Sequence, residues 1–377
     1  MRAYVFTDKA LDRYAGRFVW LSINTEKGSN SPFLKKYPVE VWPSFFIIDP
    51  KKEAIAIRWV GGATVPQVEK LLDDASKTIK GNQKGIDQTL AHADQLFGER
   101  KNAEAAKLYE EALSKAPADW PQYRRALESM LFAQTSSHDN ARCAALAEAN
   151  FARVKNTASA ANVAAIGLGC ALELPAEDTK RAQLIETLEN DSREVIANNK
   201  TFMAADDRSS VYDTLISARE DAKDAKGVKK VAAEWATFLE GEAAKAKTAE
   251  QRAVFDSHRV GAYLKLGQPE RGLPMLQQSE KDLPNDYNPP ARMAVLYNAM
   301  GKYDAALAAS DRALSRAYGP RKLGILRTRA DIYAGKGDKV KAKETMEEAI
   351  RLAEGMPEGQ RSERTIASLK KKRDEIQ

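Results

Sequence analysis

The sequence predicts two kinds of structure: an incomplete α/β segment at the amino end, followed by an all-α array of helical repeats. Three observations lead to this prediction. Apolar runs of β-prone residues lie near the amino end, separated by turn-forming clusters. After residue 85, alanine is abundant and β-branched residues are sparse, which favours helix. Glycines then recur at Gly267, Gly301 and Gly337, at intervals of 34 and 36 residues.

Length and charge restrict the class of protein. A chain of 377 residues is long enough for about two or three domains, and 43% hydrophobic residues can fill their cores. The 59 basic and 53 acidic residues are interspersed, so they predict solvated helix faces and no nucleic-acid partner. No apolar run approaches the roughly 18 residues that span a bilayer, and residues 1–6 lack the profile of a signal peptide. As written, the chain is expected to be soluble and cytoplasmic.

Residues with catalytic or metal-binding potential are few and scattered. The chain has two cysteines, Cys143 and Cys170, and three histidines. It contains no CxxC, no HExxH and no glycine-rich phosphate loop, and its carboxylates are too evenly spread to suggest an acid/base pair. We therefore expect no metal, no cofactor and no enzymatic activity from the chain as given.

The amino-terminal segment contains three runs with the character of strands. They are Phe18–Ile23, residues 44–48 and residues 53–60, and a turn-forming cluster separates the second from the third. The second and third runs are expected to pair as a hairpin. Glycines at 61 and 62 then end the last strand, and the apolar spacing of residues 65–75 predicts a helix.

The order of these elements over residues 4–76 resembles the carboxyl-terminal half of a thioredoxin domain. The stretch from Tyr37 to Asp49, followed by Gly61 and an amphipathic helix, carries the resemblance. In that family the proline before the penultimate strand is cis, and the segment around it holds extended peptide. The resemblance therefore implies a peptide-binding loop made of Trp42, Pro43 and Ser44. It also implies a CxxC at the start of an earlier helix, which this chain does not contain.

Three interpretations of this departure stay open. In the first, which we favour, Met1 is an internal methionine of a longer protein with a CxxC upstream; a signal peptide there would make the protein periplasmic or secreted. The missing central strand favours it, because buried backbone groups left without partners cost roughly 1–3 kcal/mol each. In the second, the segment is a rearranged small α/β cap on the helical array, without a redox role. In the third, the sheet is unrelated to thioredoxin.

A repeated pattern of alanine, tyrosine and glycine follows a polar linker predicted at residues 77–87. The first copy contains Ala93, Tyr109 and Ala112. A weaker copy contains Tyr263 and Gly267. Clearer copies after it contain, in order, Ala294, Tyr297, Gly301, Ala306 and Ala313; and Ala330, Tyr333, Gly337 and Ala349. The spacing resembles that of tetratricopeptide units, in which small residues lie where helices approach closely. Stacked units of this kind leave a concave groove.

This pattern predicts a tetratricopeptide-like helical repeat domain over residues 88–377. Residues from about 120 to 255 are helical but off-pattern, so they predict divergent hairpins of altered length. Residues 358–377 are strongly charged and predict a capping helix, which the end of a solenoid requires.

The two cysteines lie on a predicted helical hairpin in the divergent region. Asp139 is a candidate N-cap for a helix to about Lys155, and a second helix is expected to end near Glu173. Cys143 and Cys170 are equally far from the turn, so they lie at the same height, about 20 Å from it. Equal height permits a disulfide but does not require one. Two small buried side chains in an alanine-rich interface are the alternative.

Two functions from different classes follow from this organisation. The first is an interaction protein whose groove binds a protein or peptide partner and which carries a redox-inactive or truncated thioredoxin-like domain. The alternative is the carboxyl-terminal portion of a thiol-disulfide oxidoreductase whose CxxC lies upstream of Met1. A scaffold that only oligomerises is a third interpretation, and the charged terminal helix argues against it. The sequence names neither the partner nor the oligomeric state.

Overall fold

A computed structural model describes residues 4–39, 41–81 and 83–376 of the chain. The chain forms two compact units, and each is made of two stretches of sequence. The first unit consists of Met1–Arg17 and Val41–Val231, and the second of Phe18–Glu40 and Ala232–Gln377. Each unit is described by itself below.

The elements begin with short helices and two strands and continue as helices. In chain order they are a 3-10 helix (Lys9–Tyr14), a second 3-10 helix (Gly28–Asn30), α1 (Ser31–Lys36), β1 (Ser44–Asp49), β2 (Ala54–Val60), α2 (Val65–Lys80), α3 (Ile86–Gly98), α4 (Asn102–Lys115), α5 (Tyr123–Ser136), α6 (Asn140–Val154), α7 (Ala160–Leu172), α8 (Arg181–Ala197) and α9 (Ala205–Asp221). The remainder are α10 (Ala225–Ala244), α11 (Ala249–Ala253), α12 (Asp256–Leu266), a 3-10 helix (Pro269–Gly272), α13 (Leu273–Asp282), α14 (Asn288–Ala299), α15 (Tyr303–Arg316), α16 (Arg321–Gly335), α17 (Lys339–Glu354) and α18 (Glu363–Asp374).

The β-hairpin expected near the amino end is present in the first unit. Strands β1 and β2 are antiparallel, with Ser44 opposite Val60 and an irregularity between Ile47 and Ile48. Helix α2 then begins at a capping box, in which the Thr64 side chain accepts from the Gln67 N–H and the Gln67 side chain accepts from the Thr64 N–H. The helix starts where the sequence predicts, because these two groups satisfy its first free amides.

The prediction of a strand at Phe18–Ile23 was wrong. This stretch is irregular, and the side chains of Val19 and Leu21 are 88% and 71% exposed. A strand exists only when a neighbour pairs with its backbone, and the sheet of the described residues contains β1 and β2 alone. The stretch therefore has β-prone residues without a strand partner, and it belongs to the second unit. The described residues therefore contain a two-stranded sheet, and they do not confirm the thioredoxin-like fold that this strand would have helped to build.

The linker predicted at residues 77–87 is helical as far as Lys80. The Ser76 and Thr78 hydroxyls donate to the carbonyl oxygens of Leu72 and Asp74, at 2.9 and 3.1 Å, so these polar residues stay within the helix. Gly81 ends it with a φ of 70°, a conformation that glycine adopts without strain.

The hairpin packs against the first helix of the array. Gly98 of α3 lies so close to Ile55 that a Cβ there would be 2.7 Å from the isoleucine. The Arg58 guanidinium stacks 4.6 Å from the centre of the Phe97 ring and donates to the Phe97 carbonyl at 3.1 Å. Strand β2 thus covers one face of α3, while α4 covers another.

A buried arginine joins α2, α3 and α5. Arg125 Nη1 lies 2.8 and 2.9 Å from the two carboxylate oxygens of Asp94, and Arg125 Nε lies 3.6 Å from Asp74. Tyr109 of α4 donates to Asp94 at 2.7 Å. Burial by itself would lower the pKa of Arg125, but the Asp94 and Asp74 carboxylates outweigh it and raise that pKa. The arginine is therefore charged and held by two helices besides its own.

A buried carboxyl group lies where the β2–α2 connection meets α9. Asp207 is 3% exposed, and a Cβ at Gly62 would lie 2.6 Å from its Oδ1. The Gly62 N–H donates to it, but burial and the nearby Glu128 raise the pKa of Asp207 to about 8. Burial likewise raises the pKa of Glu128 to about 7, although Ser159 and Asn162 donate to that carboxylate. At neutral pH Asp207 is therefore mostly protonated in the folded unit, and Glu128 is protonated in part.

The second unit is built from hairpins that stack in sequence. Helices α14 and α15 pack as one hairpin, α16 and α17 as the next, and α18 packs on α17. One core cluster centres on Leu276, Leu296 and Ile332, which are fully buried. The expected capping helix is α18, and it buries Ile366 and Leu369 in the cluster beneath it. Among the described residues, no helix combines the length and apolarity that crossing a lipid bilayer demands.

Removing Asp94 should destabilise the first unit strongly. Asp94→Ala removes both short contacts of the buried Arg125 guanidinium and leaves only the Asp74 carboxylate at 3.6 Å, and breaking a buried ion pair costs about 3–5 kcal/mol. We expect that loss in the free energy of unfolding, measured by urea denaturation with circular dichroism. Asp119→Ala, at an exposed position before α5, is the matched control and should change little. A loss below about 1 kcal/mol in Asp94→Ala would show that the network is not structural.

Asp207 should make stability fall as pH rises. Between its ordinary pKa of 3.8 and about 8, the unfolded chain has released this proton and the folded chain keeps it, so rising pH favours unfolding. Asp207→Asn keeps an acceptor for Gly62 and removes the ionisation. We expect the variant to gain at least about 1 kcal/mol over the wild type between pH 5 and pH 8 in thermal or urea unfolding. Asp213→Asn, exposed on the same helix, should show no such gain; equal pH profiles for wild type and Asp207→Asn would disprove the role of this group.

Candidate functional site

The first helices of the last hairpins form one continuous wall. Helix α14 packs directly against both α12 and α16, while α13 and α15 pack on α14 and α17 packs on α16. Because the first helices contact one another, they form the inner layer of the stack. The inner layer is the surface that a groove in this unit would use.

The small residues of the repeat pattern lie between helices. Ala294, Ala306, Ala313, Ala330 and Ala349 expose 1% of their surface or less. In the first unit, Ala93, Tyr109 and Ala112 are fully buried in the same way. A larger side chain at any of these positions would push two helices apart, which explains why the pattern repeats.

The glycines of the pattern end the inner helices. Gly267, Gly301 and Gly337 have φ angles of 74°, 68° and 89°, in the left-handed region that other residues rarely adopt. Each lies between the two helices of its hairpin. Because every hairpin needs a residue with a positive φ at its turn, a glycine recurs once per hairpin in the sequence.

The tyrosines of the pattern combine burial with a polar contact. Tyr263 is buried and donates to Glu240 Oε1 at 2.7 Å, and Arg271 donates to the same oxygen. Tyr333 is half-buried, and the guanidinium of Arg329, one turn earlier, donates to its hydroxyl at 3.2 Å. Tyr297 packs against the core cluster beneath α14. These side chains hold neighbouring helices rather than an open surface.

A cleft of about 500 Å³ opens at the amino end of α14. Helix α11 forms one side, and the connection from α13 to α14 forms the other. The lining residues are Glu250, Ala253, Val254, Asp282, Leu283, Pro284, Asn285, Asp286, Asn288 and Arg292. The cleft thus has an apolar floor, two carboxamides and groups of both charges.

Most of the acids in the cleft are already engaged. Asp286 accepts from the Asn288 backbone N–H at 2.9 Å and from its side chain at 2.7 Å, which caps the start of α14. Asp282 forms an ion pair with Arg252. Asn285 is exposed, so its carboxamide faces solvent at the mouth of the cleft.

Arg292 is the cation of the cleft, and it is half-buried. Burial lowers its pKa, against the opposing effect of Asp256 and Asp286, but an arginine still carries its charge at neutral pH. Asp256 is fully buried and accepts from the Ser279 hydroxyl at 2.6 Å.

The predicted peptide-binding loop near the amino end is exposed. The Trp42–Pro43 bond is cis, and the Trp42 side chain is 59% exposed. Ser44 donates to the Val41 carbonyl at 2.6 Å, and the Pro43 carbonyl accepts from Gly61 at 3.0 Å. The loop is therefore tied to the end of β2. Its role in holding peptide stays a prediction.

The cysteines lie side by side on α6 and α7. Helix α6 begins after Asp139, whose side chain accepts from the Arg142 N–H, as expected for an N-cap. The sulfur atoms of Cys143 and Cys170 are 2.05 Å apart and the Cα atoms 6.1 Å apart. Both residues are buried, and the Thr135 hydroxyl of α5 lies 3.4 and 3.7 Å from the two sulfurs. A disulfide bond between Cys143 and Cys170 in solution stays a prediction.

Sequence reasoning missed the cleft and the buried arginine. Asn285, Asn288 and Arg292 look like ordinary exposed residues of a turn and a helix start. Asp94 gave a usable signal, because it follows Ala93 on the apolar face of α3, where an acid needs a partner. That partner, Arg125, is 31 residues away, and no sequence pattern around it indicates that it is buried.

Comparison with known proteins identifies the repeats. Residues 287–355 match the tetratricopeptide repeat family. No curated protein matches the chain. Among solved structures, a tetratricopeptide repeat protein from Parabacteroides merdae is 13% identical over 77% of this chain and 98% of its own, with a TM-score of 0.48.

Two further solved structures resemble the chain. Pseudomonas aeruginosa pilF is 11% identical over 66% of this chain and 97% of its own, with a TM-score of 0.35. A TPR2AB domain of yeast Sti1, in complex with pHSP90, is 13% identical over 77% of this chain and 98% of its own, with a TM-score of 0.29. On the family match and the stacked hairpins, the carboxyl-terminal part of this chain consists of tetratricopeptide repeats arranged as a helical solenoid.

Proposed function

We propose that this protein is an interaction protein whose repeats around the start of α14 hold a peptide segment of a partner. The observation that carries the proposal is the cleft at the amino end of α14. It lies within and beside the residues that match the repeat family, and it combines an apolar floor with exposed polar groups. Pockets with few placed polar groups on apolar walls are typical of ligand sites.

The chemistry of the cleft suits a polypeptide in extended form. Each residue of such a segment brings one N–H donor and one carbonyl acceptor. The carboxamides of Asn285 and Asn288 can donate and accept, so they can pair with both. Arg292 adds a fixed cation for a carbonyl or carboxylate, and Pro284 with Val254 gives apolar contact. The cleft would therefore bind mainly the backbone of a peptide and would select its side chains only weakly.

A second candidate concerns the amino-terminal hairpin. We propose that β1, β2 and α2 are a redox-inactive, thioredoxin-like module that holds extended peptide at Trp42, Pro43 and Ser44. The order of two antiparallel strands and a helix, together with the exposed Trp42 ring, supports this proposal. The chain as given has no CxxC, so thiol-disulfide exchange is not part of it.

A peptide-selection experiment tests the cleft. Peptides enriched from a displayed random library against the full chain are synthesised, and their affinity is measured by fluorescence anisotropy. Asn285→Ala and Arg292→Leu should each weaken binding about ten-fold or more, because buried polar contacts dominate such sites. Asn285 is exposed, so its variant keeps the fold.

The control for that experiment is Lys343→Ala, an exposed position on the outer helix α17, which should bind like the wild type. Trp42→Ala, measured with the same peptides, tests the second candidate. Peptides that bind all four variants as well as the wild type would rule out both surfaces. A failure to enrich any peptide would rule out peptide binding by this chain.

We also propose that Cys143 and Cys170 form a disulfide when the protein is purified without reductant. A bond between them would close a loop with a sequence separation of 27, which stabilises a folded chain by about 3 kcal/mol. Reduction should therefore lower the midpoint of thermal unfolding, and Cys143→Ser with Cys170→Ser should lower it equally and remove the effect of reductant. Two free thiols in denaturant before reduction would contradict the proposal.

A further inference from the structure

A segment from the amino-terminal part of the chain lies on the loops of the last repeats. Asn24 donates to the Tyr318 hydroxyl at 2.6 Å, and the Gln360 side chain donates to the Thr25 carbonyl at 2.9 Å. The Gly359 N–H donates to the Ser31 hydroxyl at 3.3 Å. These contacts all lie within the second unit and join residues almost 300 positions or more apart. We call residues 24–31 the strap.

Glu26 is the centre of the strap. Its side chain is 14% exposed and forms an ion pair with Arg321 at the start of α16. Beside it, a Cβ on Gly319 would lie 2.3 Å from the Glu26 carbonyl oxygen. Only a residue without a side chain allows the strap so close. We call the residues that contact the strap the seat: Tyr318, Gly319, Arg321, Gly359 and Gln360.

The strap adjoins the cleft at the amino end of α14. The Arg321 guanidinium, which holds Glu26, lies 5.9 Å from the centre of the Tyr287 ring. Tyr287 directly precedes Asn288 of the cleft. The positive charge of Arg321 also adds to burial in lowering the pKa of Arg292 in the cleft wall. The strap and the cleft are therefore neighbouring parts of one surface.

The two ends of the strap are held differently. After it, α1 buries Leu34, and Tyr37 is buried just beyond the helix. Before it, Val19 and Leu21 are largely exposed. The amino half of the strap is fixed by polar contacts, so it can leave the surface without exposing an apolar core. The helix would keep it tethered nearby.

We propose that the strap is a ligand that the chain supplies to itself, and that a partner displaces it with an acidic peptide that adopts the same turn and pairs its carboxylate with Arg321. The proposal rests on the proposed function, because it names what occupies this surface before a partner arrives. The partner would place a carboxylate at the Glu26 position, a backbone carbonyl over Gly319 and another toward Gln360.

Tethering sets the affinity that a partner needs. A segment joined by a short chain has an effective concentration on the order of millimolar. A free peptide with the same contacts, added at micromolar concentration, therefore cannot compete with an intact strap. It binds only when the strap is weakened or when the partner makes further contacts in the cleft.

The test uses a fluorescent synthetic peptide with the sequence of residues 22–31 and the full chain. Wild type should bind it weakly. Glu26→Ala loosens the strap and leaves the seat intact, so peptide affinity should rise about ten-fold or more. Adding Arg321→Ala to Glu26→Ala removes the seat, and affinity should return to the wild-type level. Hydrogen exchange of residues 22–31 should increase in Glu26→Ala.

Two controls accompany the test. Glu344→Ala, an exposed acid on α17, should behave like the wild type, and a peptide with alanine at the Glu26 position should bind no variant. The proposal is overturned if Glu26→Ala binds the peptide no better than wild type, or if the double variant binds it as well as Glu26→Ala. A cleft variant such as Asn285→Ala leaves the strap and Arg321 in place, so failure of the cleft and failure of the strap give separate results.

Discussion

A helical hairpin with two apolar faces is stable only when both faces are covered, and this constraint organises the chain. At the start of the array, β2 covers α3 through Ile55 on Gly98 and Arg58 on Phe97. At the end, α18 covers α17 with Ile366 and Leu369. The β-hairpin therefore covers the apolar face of the first repeat, just as α18 covers the apolar face of the last.

Charged pairs between successive hairpins repeat with the array but add little to its stability. Glu110 pairs with Arg142, Glu280 with Arg312 and Asp304 with Lys336, each across 32 residues. Such exposed pairs contribute about 0–1 kcal/mol each. Buried alanine contacts and the apolar clusters hold the hairpins together.

The sequence predicts local features of this fold well and distant ones poorly. Gly301 and Gly337 mark turns because the backbone there requires a positive φ, and Ala306 marks a close contact because only a small side chain fits. Both constraints act within one hairpin. The strand expected at Phe18–Ile23 failed for the opposite reason, since a strand depends on a partner that no local pattern reveals. The seat for Glu26 and the pair of Arg125 with Asp94 are hidden in the same way.

The interleaved chain has a consequence for synthesis. Residues 18–40 belong to the second unit, although the first unit lies on both sides of them in the sequence. Asn24 leaves the ribosome 294 residues before its partner Tyr318. At about 5–20 residues per second, that delay is roughly fifteen seconds to a minute. During this time the exposed Val19 and Leu21 and the future strap are available to chaperones, and a fragment that starts at residue 232 lacks part of its own unit.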